Sequence, residues 1–389
     1  MYDFKNVVDR RGQGQTKWMA MKELKPNVAP DVMPFSVADM EFKNAPEIIN
    51  GLKEYLDKTI LGYTIRNEGF NKAIKSWYQR RHDYDIDTDK IVNFPGVVSG
   101  LYLGIEMFTE PGEGVIVMPP VYYPFFGVIS AQGRNIVECP LIDNDGHYEI
   151  DFEKFEQLAS KKENTMTIVC NPHNPVGRVW TKDELKRIGE IANKYNLFIL
   201  DDEIHNDLIM PGYKHTMMAN VLEDKSKFIT FTSASKTFNM AGMTLCSAII
   251  EDDDLYEKFA NRTMETARTT CTSLGYKAAE IAYNECEAWL DECLEHIYEN
   301  HKFVLDYFSK NHPGFKAYKL EGTYLQWIDF NSLGLTIEEL EKRNIENDVF
   351  LDEGYIFGTG GHGFERINLA APKSKIEELL KRISKVIGE

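Results

Sequence analysis

The feature that most constrains this chain is an alternation of amphipathic helical segments with short apolar runs. Four segments have the apolar spacing of amphipathic helices: 47–60, 68–81, 181–195 and 374–388. Four short apolar runs have the composition of strands buried on both faces: 114–118, 165–170, 197–200 and 227–231. Thr181 and Ser374 stand where the last two helices are expected to begin, and acidic residues follow closely. The alternation predicts an α/β fold with a mostly parallel sheet.

Length, charge and cysteine usage bound the class of protein. The chain has 389 residues, more than one hydrophobic core usually organises, so two domains are expected. Its net charge of −17 repels phosphate backbones and anionic membranes, so neither nucleic acid nor a membrane is an expected partner. No apolar run reaches the roughly 20 residues of a membrane span, and the first residues lack the apolar core of a secretion signal. We therefore expect a soluble, cytoplasmic protein. The six cysteines form no CxxC pair, so reduced buried thiols are expected and no metal site.

Polar or aromatic side chains follow each of the four predicted strands. In chain order they are Tyr122 and Tyr123, Asn174, Asp202 and His205, and Lys236. Ligands of open α/β sheets bind in the crevice beyond the carboxyl ends of the strands. The sequence therefore predicts that these side chains converge on one pocket.

The combination of these groups indicates a particular ligand. Backbone N–H groups of Val97 and Val98, in a glycine-bearing turn before a helix, and the hydroxyls of Ser233 and Ser235 suit a phosphate. A flat ring would stack on Tyr122 or Tyr123, and a buried Asp202 would pair with a protonated ring nitrogen. A desolvated Lys236 amine would form a Schiff base with an aldehyde. Phosphate, ring, ring nitrogen and aldehyde together describe pyridoxal 5′-phosphate.

Several motifs resemble a known family over essentially the whole chain. The stretches NPHNPVGRVW, DDEIH, SASKTFN and RINLAAPK, in this order, resemble the fold-type I enzymes that depend on pyridoxal 5′-phosphate. Within that fold, VVDRRGQGQTKW, PFSVADMEF, PPVYYPFF and EGTYLQWIDF look like the cystalysin and MalY/PatB-type C–S lyases. The resemblance implies a seven-stranded, mostly parallel sheet in a large domain, 46–285, and a smaller α/β domain, 286–389. The N-terminal segment, 1–45, is expected to contribute to the small domain.

The resemblance implies roles for the residues around the expected cofactor ring. Lys236 would form the Schiff base and move protons at Cα of the substrate. Asp202 would pair with the pyridine nitrogen, and Asn174 and His205 would address the ring 3-oxygen. Arg366, in FERINLA, would hold the substrate α-carboxylate bidentately.

Further roles concern the ring face, the phosphate and the subunit interface. Tyr122 would stack on the ring. Tyr123 would lie near the substrate, bind it together with Asn174 and take part in catalysis. Ser233, Ser235 and the amides of Val97 and Val98 would bind the phosphate, joined by Tyr63 from a neighbouring subunit. The implied assembly is a homodimer with active sites at its interface.

The implied reaction is β-elimination from cysteine-type amino acids. Cystathionine, cysteine, cystine or another S-conjugate would give pyruvate, ammonia and a thiol or sulfide. An aminotransferase is the alternative enzyme, and a catalytically silent regulatory protein on the same fold is the alternative outside enzymes. Thr244 stands where many aminotransferases of this fold carry a phosphate-binding arginine, a departure that favours the lyase subgroup.

Four of these residues also have an ordinary structural interpretation. Asp202 could cap a helix, and His205 could be a satisfied helical histidine. Tyr123 could pack beside Phe125 and Phe126, and Arg366 could form a structural ion pair.

Overall fold

The computed structural model describes residues 2–266 and 271–388. Its α-helices, numbered in chain order, are α1 (Thr16–Leu24), α2 (Pro46–Lys58), α3 (Glu68–His82), α4 (Val97–Phe108), α5 (Pro124–Ser130), α6 (Phe152–Ala159), α7 (Lys182–Tyr195), α8 (Ala234–Thr237), α9 (Asp253–Glu265), α10 (Ser273–Glu285), α11 (Glu287–Asn311), α12 (Ile337–Glu346) and α13 (Lys373–Ile387). Short 3₁₀ turns occur at Thr88–Lys90, Met218–Asn220, Ala241–Met243, Asn331–Leu333 and Gly354–Phe357.

The strands, also numbered in chain order, belong to two larger sheets and one hairpin. They are β1 (Ile91–Phe94), β2 (Gly114–Val117), β3 (Asn135–Glu138), β4 (Ile142–Asn144), β5 (His147–Glu149), β6 (Asn164–Cys170), β7 (Phe198–Asp202), β8 (Phe228–Thr232), β9 (Cys246–Ile249), β10 (Lys316–Ala317), β11 (Leu325–Asp329), β12 (Asp352–Glu353) and β13 (Phe364–Asn368). The four predicted strands are confirmed as β2, β6, β7 and β8.

The predicted helices are confirmed as α2, α3, α7 and α13, but the two expected caps differ in outcome. Thr181 accepts a hydrogen bond from the Glu184 backbone N–H, and the Glu184 side chain returns one, which completes a capping box on α7. Ser374 does not cap α13, because it already lies inside that helix, which begins at Lys373 directly after Pro372. The cap position is Pro372, so the predicted starting point was wrong by two residues.

The larger sheet confirms the predicted architecture. Its seven strands run in the order β1-β9-β8-β7-β6-β2-β3. The pairs β2/β3, β2/β6, β6/β7 and β7/β8 are parallel, whereas β9 pairs antiparallel with both β1 and β8. Strands β2, β7 and β8 are buried along their whole length. Apolar clusters lie on both faces of this sheet, so helices cover it on both sides.

A smaller antiparallel sheet and the start of the chain lie together. The four-stranded sheet has the order β10-β11-β13-β12. Phe35 N donates to Phe350 O at 2.8 Å, and Asn368 N donates to Phe35 O at 2.9 Å. The N-terminal segment thus hydrogen-bonds to residues around the smaller sheet, while the domain boundaries at 45 and 285 stay predictions. All six cysteines are buried as free thiols.

None of the helices described is both long enough and apolar enough to cross a membrane.

Candidate active site

A cavity of about 180 Å³ lies beyond the carboxyl ends of β6, β7 and β8. Nine of the predicted site residues line it: Val97, Val98, Tyr122, Asn174, Asp202, His205, Ser233, Ser235 and Lys236. Parallel strands end at one edge of a sheet, which is why residues from four separate strand ends meet there.

Lys236 projects from α8, the short helix that follows β8. Ser233 caps this helix, because its hydroxyl oxygen accepts a hydrogen bond from Ser235 N at 3.0 Å. Lys236 Nζ donates a hydrogen bond to the Ala38 carbonyl at 2.6 Å. Burial lowers the pKa of Lys236 to about 8, although the negative charges of Asp39 and Asp202 oppose this effect. A neutral, nucleophilic amine is therefore accessible near neutral pH.

Asp202 is the last residue of β7, and it does not cap a helix, because a turn follows it. Its carboxylate accepts a hydrogen bond from Ile204 N at 3.2 Å. Burial raises the pKa of Asp202 to about 7. A cationic partner in the cavity would restore the charged form, so the site fits a protonated ring nitrogen.

His205 presents a neutral ring to the cavity. Burial, and to a lesser extent the positive charges of Lys236 and Arg366, hold the pKa of His205 well below its ordinary value. Its Nδ1 is buried without a hydrogen-bond partner among the described residues. This argues against the ordinary interpretation of a satisfied helical histidine and leaves Nδ1 available to a ligand.

The expected phosphate end of the cavity combines a helix start with hydroxyl groups. Val97 and Val98 open the twelve-residue helix α4, and backbone N–H groups of a first turn have no partner within the helix. Ser233 Oγ donates its proton to the Leu245 carbonyl oxygen at 2.6 Å. Ser235 Oγ lies 2.9 Å from Ser233 Oγ and is the hydroxyl better able to donate into the cavity.

Arg366 lies on β13, and it is 2% exposed. Its Nε and Nη2 donate to Asp352 Oδ2 at 3.1 and 2.5 Å, and its Nη1 donates to Asn174 Oδ1 at 2.8 Å. The guanidinium also stands 4.8 Å from the centre of the Phe357 ring. An arginine has five N–H groups, so one remains on each terminal nitrogen, the arrangement that a carboxylate binds bidentately. The structural ion pair with Asp352 thus exists, and it orients the two terminal nitrogens whose remaining N–H groups would bind a carboxylate.

The three predicted tyrosines occupy different positions. Tyr122 lines the cavity, and burial raises its pKa. Tyr123 is 42% exposed, so it is not a core residue, and its ring lies 5.7 Å from Tyr122 and 5.9 Å from Phe357. Tyr63 is fully exposed between α2 and α3 and does not line this chain's own cavity.

Sequence reasoning missed several residues of the site. Ala38 acts through its backbone carbonyl, and Tyr324 OH donates to the same oxygen at 2.9 Å. A backbone acceptor has no sequence signal. Asp352 was missed because a single acidic residue in a two-residue strand resembles many surface acids.

The donor set fits pyridoxal 5′-phosphate. The cavity offers a carboxylate for a ring nitrogen, an orphaned imidazole nitrogen, a helix start with a hydroxyl for a phosphate, and an amine for an aldehyde. Arg366 does not line the cavity but contacts Asn174, which does, and the N–H group left on each of its terminal nitrogens suits an α-carboxylate.

Comparisons with known proteins give a consistent picture. The family model described as aminotransferase class I and II matches residues 30–383. The chain is 36% identical to cystathionine beta-lyase PatB of Bacillus subtilis over 388 residues, covering 99% of this chain and 100% of the relative. It is 30% identical to protein MalY of Escherichia coli, covering 97% of each chain. Among solved structures, cystalysin from Treponema denticola, which contains pyridoxal 5′-phosphate, is 51% identical. It superposes with a TM-score of 0.98, covering 100% of this chain and 99% of that one.

Proposed function

Because this chain belongs to the class I and II aminotransferase family, we propose that it is a pyridoxal 5′-phosphate-dependent carbon–sulfur lyase of the cystathionine β-lyase type. Cysteine-type amino acids would be split to pyruvate, ammonia and a thiol or sulfide. The observation that carries the reaction type is the similarity, over essentially the whole chain, to proteins named cystathionine beta-lyase and cystalysin. We further propose that the substrates extend to cysteine, cystine and other cysteine S-conjugates.

The residues that would hold the cofactor are those that line the cavity. Asp202 would accept a hydrogen bond from the ring nitrogen, and Tyr122 would cover one ring face. Asn174 directs its carbonyl to Arg366, which leaves its NH₂ group to donate to the ring 3-oxygen beside His205. Ser235 and the amides of Val97 and Val98, the latter pair at the start of α4, would bind the phosphate.

When bound, pyridoxal 5′-phosphate supplies an electron sink that stabilises negative charge at Cα of the amino acid. Arg366 would fix the α-carboxylate and so orient the Cα–H bond toward Lys236. The Lys236 amine would take that proton, a task suited to a pKa of about 8. Tyr123, exposed beside Phe357, would face the sulfur-bearing side chain.

We also propose a homodimer that shares its active sites. Ile60, Leu61, Tyr63 and Ile65 form a strongly exposed apolar stretch in the loop between α2 and α3. Such a stretch is costly in water and favours burial against another chain. Tyr63 would then reach the phosphate end of the partner's cavity. Light scattering coupled to size-exclusion chromatography tests the assembly, and a monomer at micromolar concentration would contradict it.

The reaction is tested with purified protein and a small substrate panel. Cystathionine, cysteine and cystine should each yield pyruvate, and Lys236→Ala should yield none. Borohydride reduction followed by peptide mapping should place the reduced cofactor on Lys236. Amino transfer that depends on an added keto acid, without pyruvate release, would instead identify an aminotransferase.

A further inference from the structure

A cluster of four charged side chains, of which Lys17 and Glu41 are buried and Arg10 and Asp39 are partly buried, lies next to the active-site lysine. Lys17 Nζ lies 2.7 Å from Asp39 Oδ1 and 2.7 Å from Glu41 Oε1. Arg10 contacts the same two carboxylates, with Nη2 2.8 Å from Asp39 Oδ2 and Nη1 2.7 Å from Glu41 Oε1. The Lys17 side chain is completely buried. A buried ammonium group is tolerated only when it is paired, so this cluster is a fixed part of the structure.

The cluster and its neighbours hold residues 37–39 in an unusual turn. Val37 has φ of 57°, a left-handed conformation that β-branched residues rarely adopt. Lys17 Nζ donates to the Asp39 carbonyl at 2.9 Å, and Asn368 Nδ2 donates to the Val37 and Asp39 carbonyls at 2.9 and 2.6 Å. Val37 N donates to Asp352 Oδ2 at 2.9 Å. These bonds maintain a conformation that the turn would not keep alone.

The turn acts on the amine of Lys236. The Ala38 carbonyl accepts hydrogen bonds from Lys236 Nζ at 2.6 Å and from Tyr324 OH at 2.9 Å. Burial lowers the pKa of Lys236. Among the neighbouring charges, the negative charge of Asp39 is the one that most strongly raises it. The other charged or titratable groups that face Nζ are Arg366, Asp202, Lys17 and His205.

We propose that Asp39 is a positioning residue for the Lys236 amine: held by Lys17 and Arg10, it fixes the Ala38 carbonyl on Nζ and keeps a negative charge beside it. The inference rests on the proposed Schiff-base role of Lys236. It adds that the start of the chain, almost 200 residues away in sequence, controls where the amine lies and how readily it holds its proton.

Recombination of the cofactor-free protein with pyridoxal 5′-phosphate tests this without measuring catalysis. In that step the amine nitrogen bonds to the aldehyde carbon, and the carbonyl oxygen leaves as water with the two amine hydrogens. Only the neutral amine reacts, so the rate, followed by absorbance, rises with pH through the pKa of the lysine. Borohydride reduction and peptide mapping assign the reaction to Lys236.

Asp39→Asn should move the inflection of this pH profile to lower pH by about one unit, because one opposite charge near Nζ is lost. Glu41→Gln is the matched control: Glu41 contacts the same two cations but lies outside the 37–39 turn. It should lose a similar amount of thermal stability and keep the inflection within about 0.3 unit of the wild type. An unshifted inflection in Asp39→Asn, or equal shifts in both variants, would overturn the proposal.

Tyr324→Phe provides a second test that removes only one oxygen atom. The Ala38 carbonyl would then serve Lys236 alone and bind its ammonium form more strongly, so the inflection should move to higher pH. A shift to lower pH, or none, would contradict the role of this carbonyl. If the wild-type chain itself fails to recombine with the cofactor, the proposed function fails and this inference fails with it.

Discussion

Replacing Asp202 with asparagine should stabilise the cofactor-free protein and weaken its binding of pyridoxal 5′-phosphate. Asp202 is 3% exposed, and burial raises its pKa to about 7, although the Ile204 N–H and the charge of Lys236 act in the opposite direction. In an unfolded chain the pKa of aspartate is about 3.9. The stability that the neutral carboxyl provides below about pH 4 is therefore lost as the pH rises toward 7. Asparagine has nearly the same shape and no charge, so it avoids this loss.

The size of the effect follows from the two pKa values. Their separation of about three units corresponds to at most about 4 kcal/mol, at about 1.4 kcal/mol per unit. About one third of this is lost by pH 5, which lies about one unit above the pKa of the unfolded residue. Relative to the wild type, Asp202→Asn should therefore be more stable by about 1.5 kcal/mol at pH 5 and by about 4 kcal/mol at pH 8.

Urea unfolding of the cofactor-free proteins at pH 5 and pH 8 measures this difference. Asp207→Asn, on the turn that follows β7, is the matched control. Burial would raise the pKa of Asp207, but hydrogen bonds from His82 and Thr237 outweigh burial and lower it. That variant should be destabilised at both pH values. If Asp202→Asn is no more stable than the wild type at pH 8, Asp202 does not carry an uncompensated charge in the empty cavity. Retention of cofactor during dialysis, equal to that of the wild type, would contradict its pairing with the ring nitrogen.

Three further predictions concern substrate, subunit and phosphate. Arg366→Lys should lower kcat/KM for a cysteine-type substrate by about 100-fold, since about 3 kcal/mol of bidentate binding is lost, but much less for its methyl ester. Equal losses for both would show that Arg366 does not bind the carboxylate. Co-expression of Tyr63→Ala and Lys236→Ala chains should restore about one quarter of wild-type activity, since random pairing leaves one intact site in half of the dimers. No recovery would mean that Tyr63 acts within its own chain or not at all. Ser235→Ala should reduce affinity for pyridoxal 5′-phosphate more than affinity for pyridoxal, as measured by titration. Ser233→Ala should instead lower the free energy of unfolding by about 1 kcal/mol, as measured in urea, because the helix cap is lost. The reverse pattern would refute this assignment.

The sequence was sufficient to predict the sheet and most of the cavity. Runs such as 114–118 and 227–231 are too short for typical helices and are mostly apolar, which favours strands buried on both faces. Once those strands are parallel, the residues after them must meet at one edge. The positions of Asn174, Asp202 and Lys236 were predictable for this reason.

The second layer of the site was not predictable in the same way. Ala38 contributes a carbonyl oxygen, which every residue has, and the bend that aims it requires Val37 in a conformation its side chain disfavours. In the sequence, Lys17 and Arg10 look like ordinary surface charges. Lys17 is buried only because the N-terminal segment packs beside the smaller sheet in the folded chain. Local pattern gives periodicity, but it does not give the partners of such long-range contacts.

One carboxylate oxygen connects Arg366, the expected substrate-binding arginine, with the 37–39 turn. Asp352 Oδ2 accepts hydrogen bonds from Arg366 Nε and Nη2 and from Val37 N, at 3.1, 2.5 and 2.9 Å. The position of the Arg366 fork and that of the Ala38 carbonyl therefore depend on the same atom, although their residues lie more than 300 positions apart. A substitution that moves Asp352 disturbs both at once. For this reason Asp352→Asn should alter KM for the amino acid and the pH profile of cofactor recombination together, whereas Asp39→Asn should alter chiefly the second. If Asp352→Asn alters only one of these two quantities, Arg366 and the 37–39 turn are positioned independently.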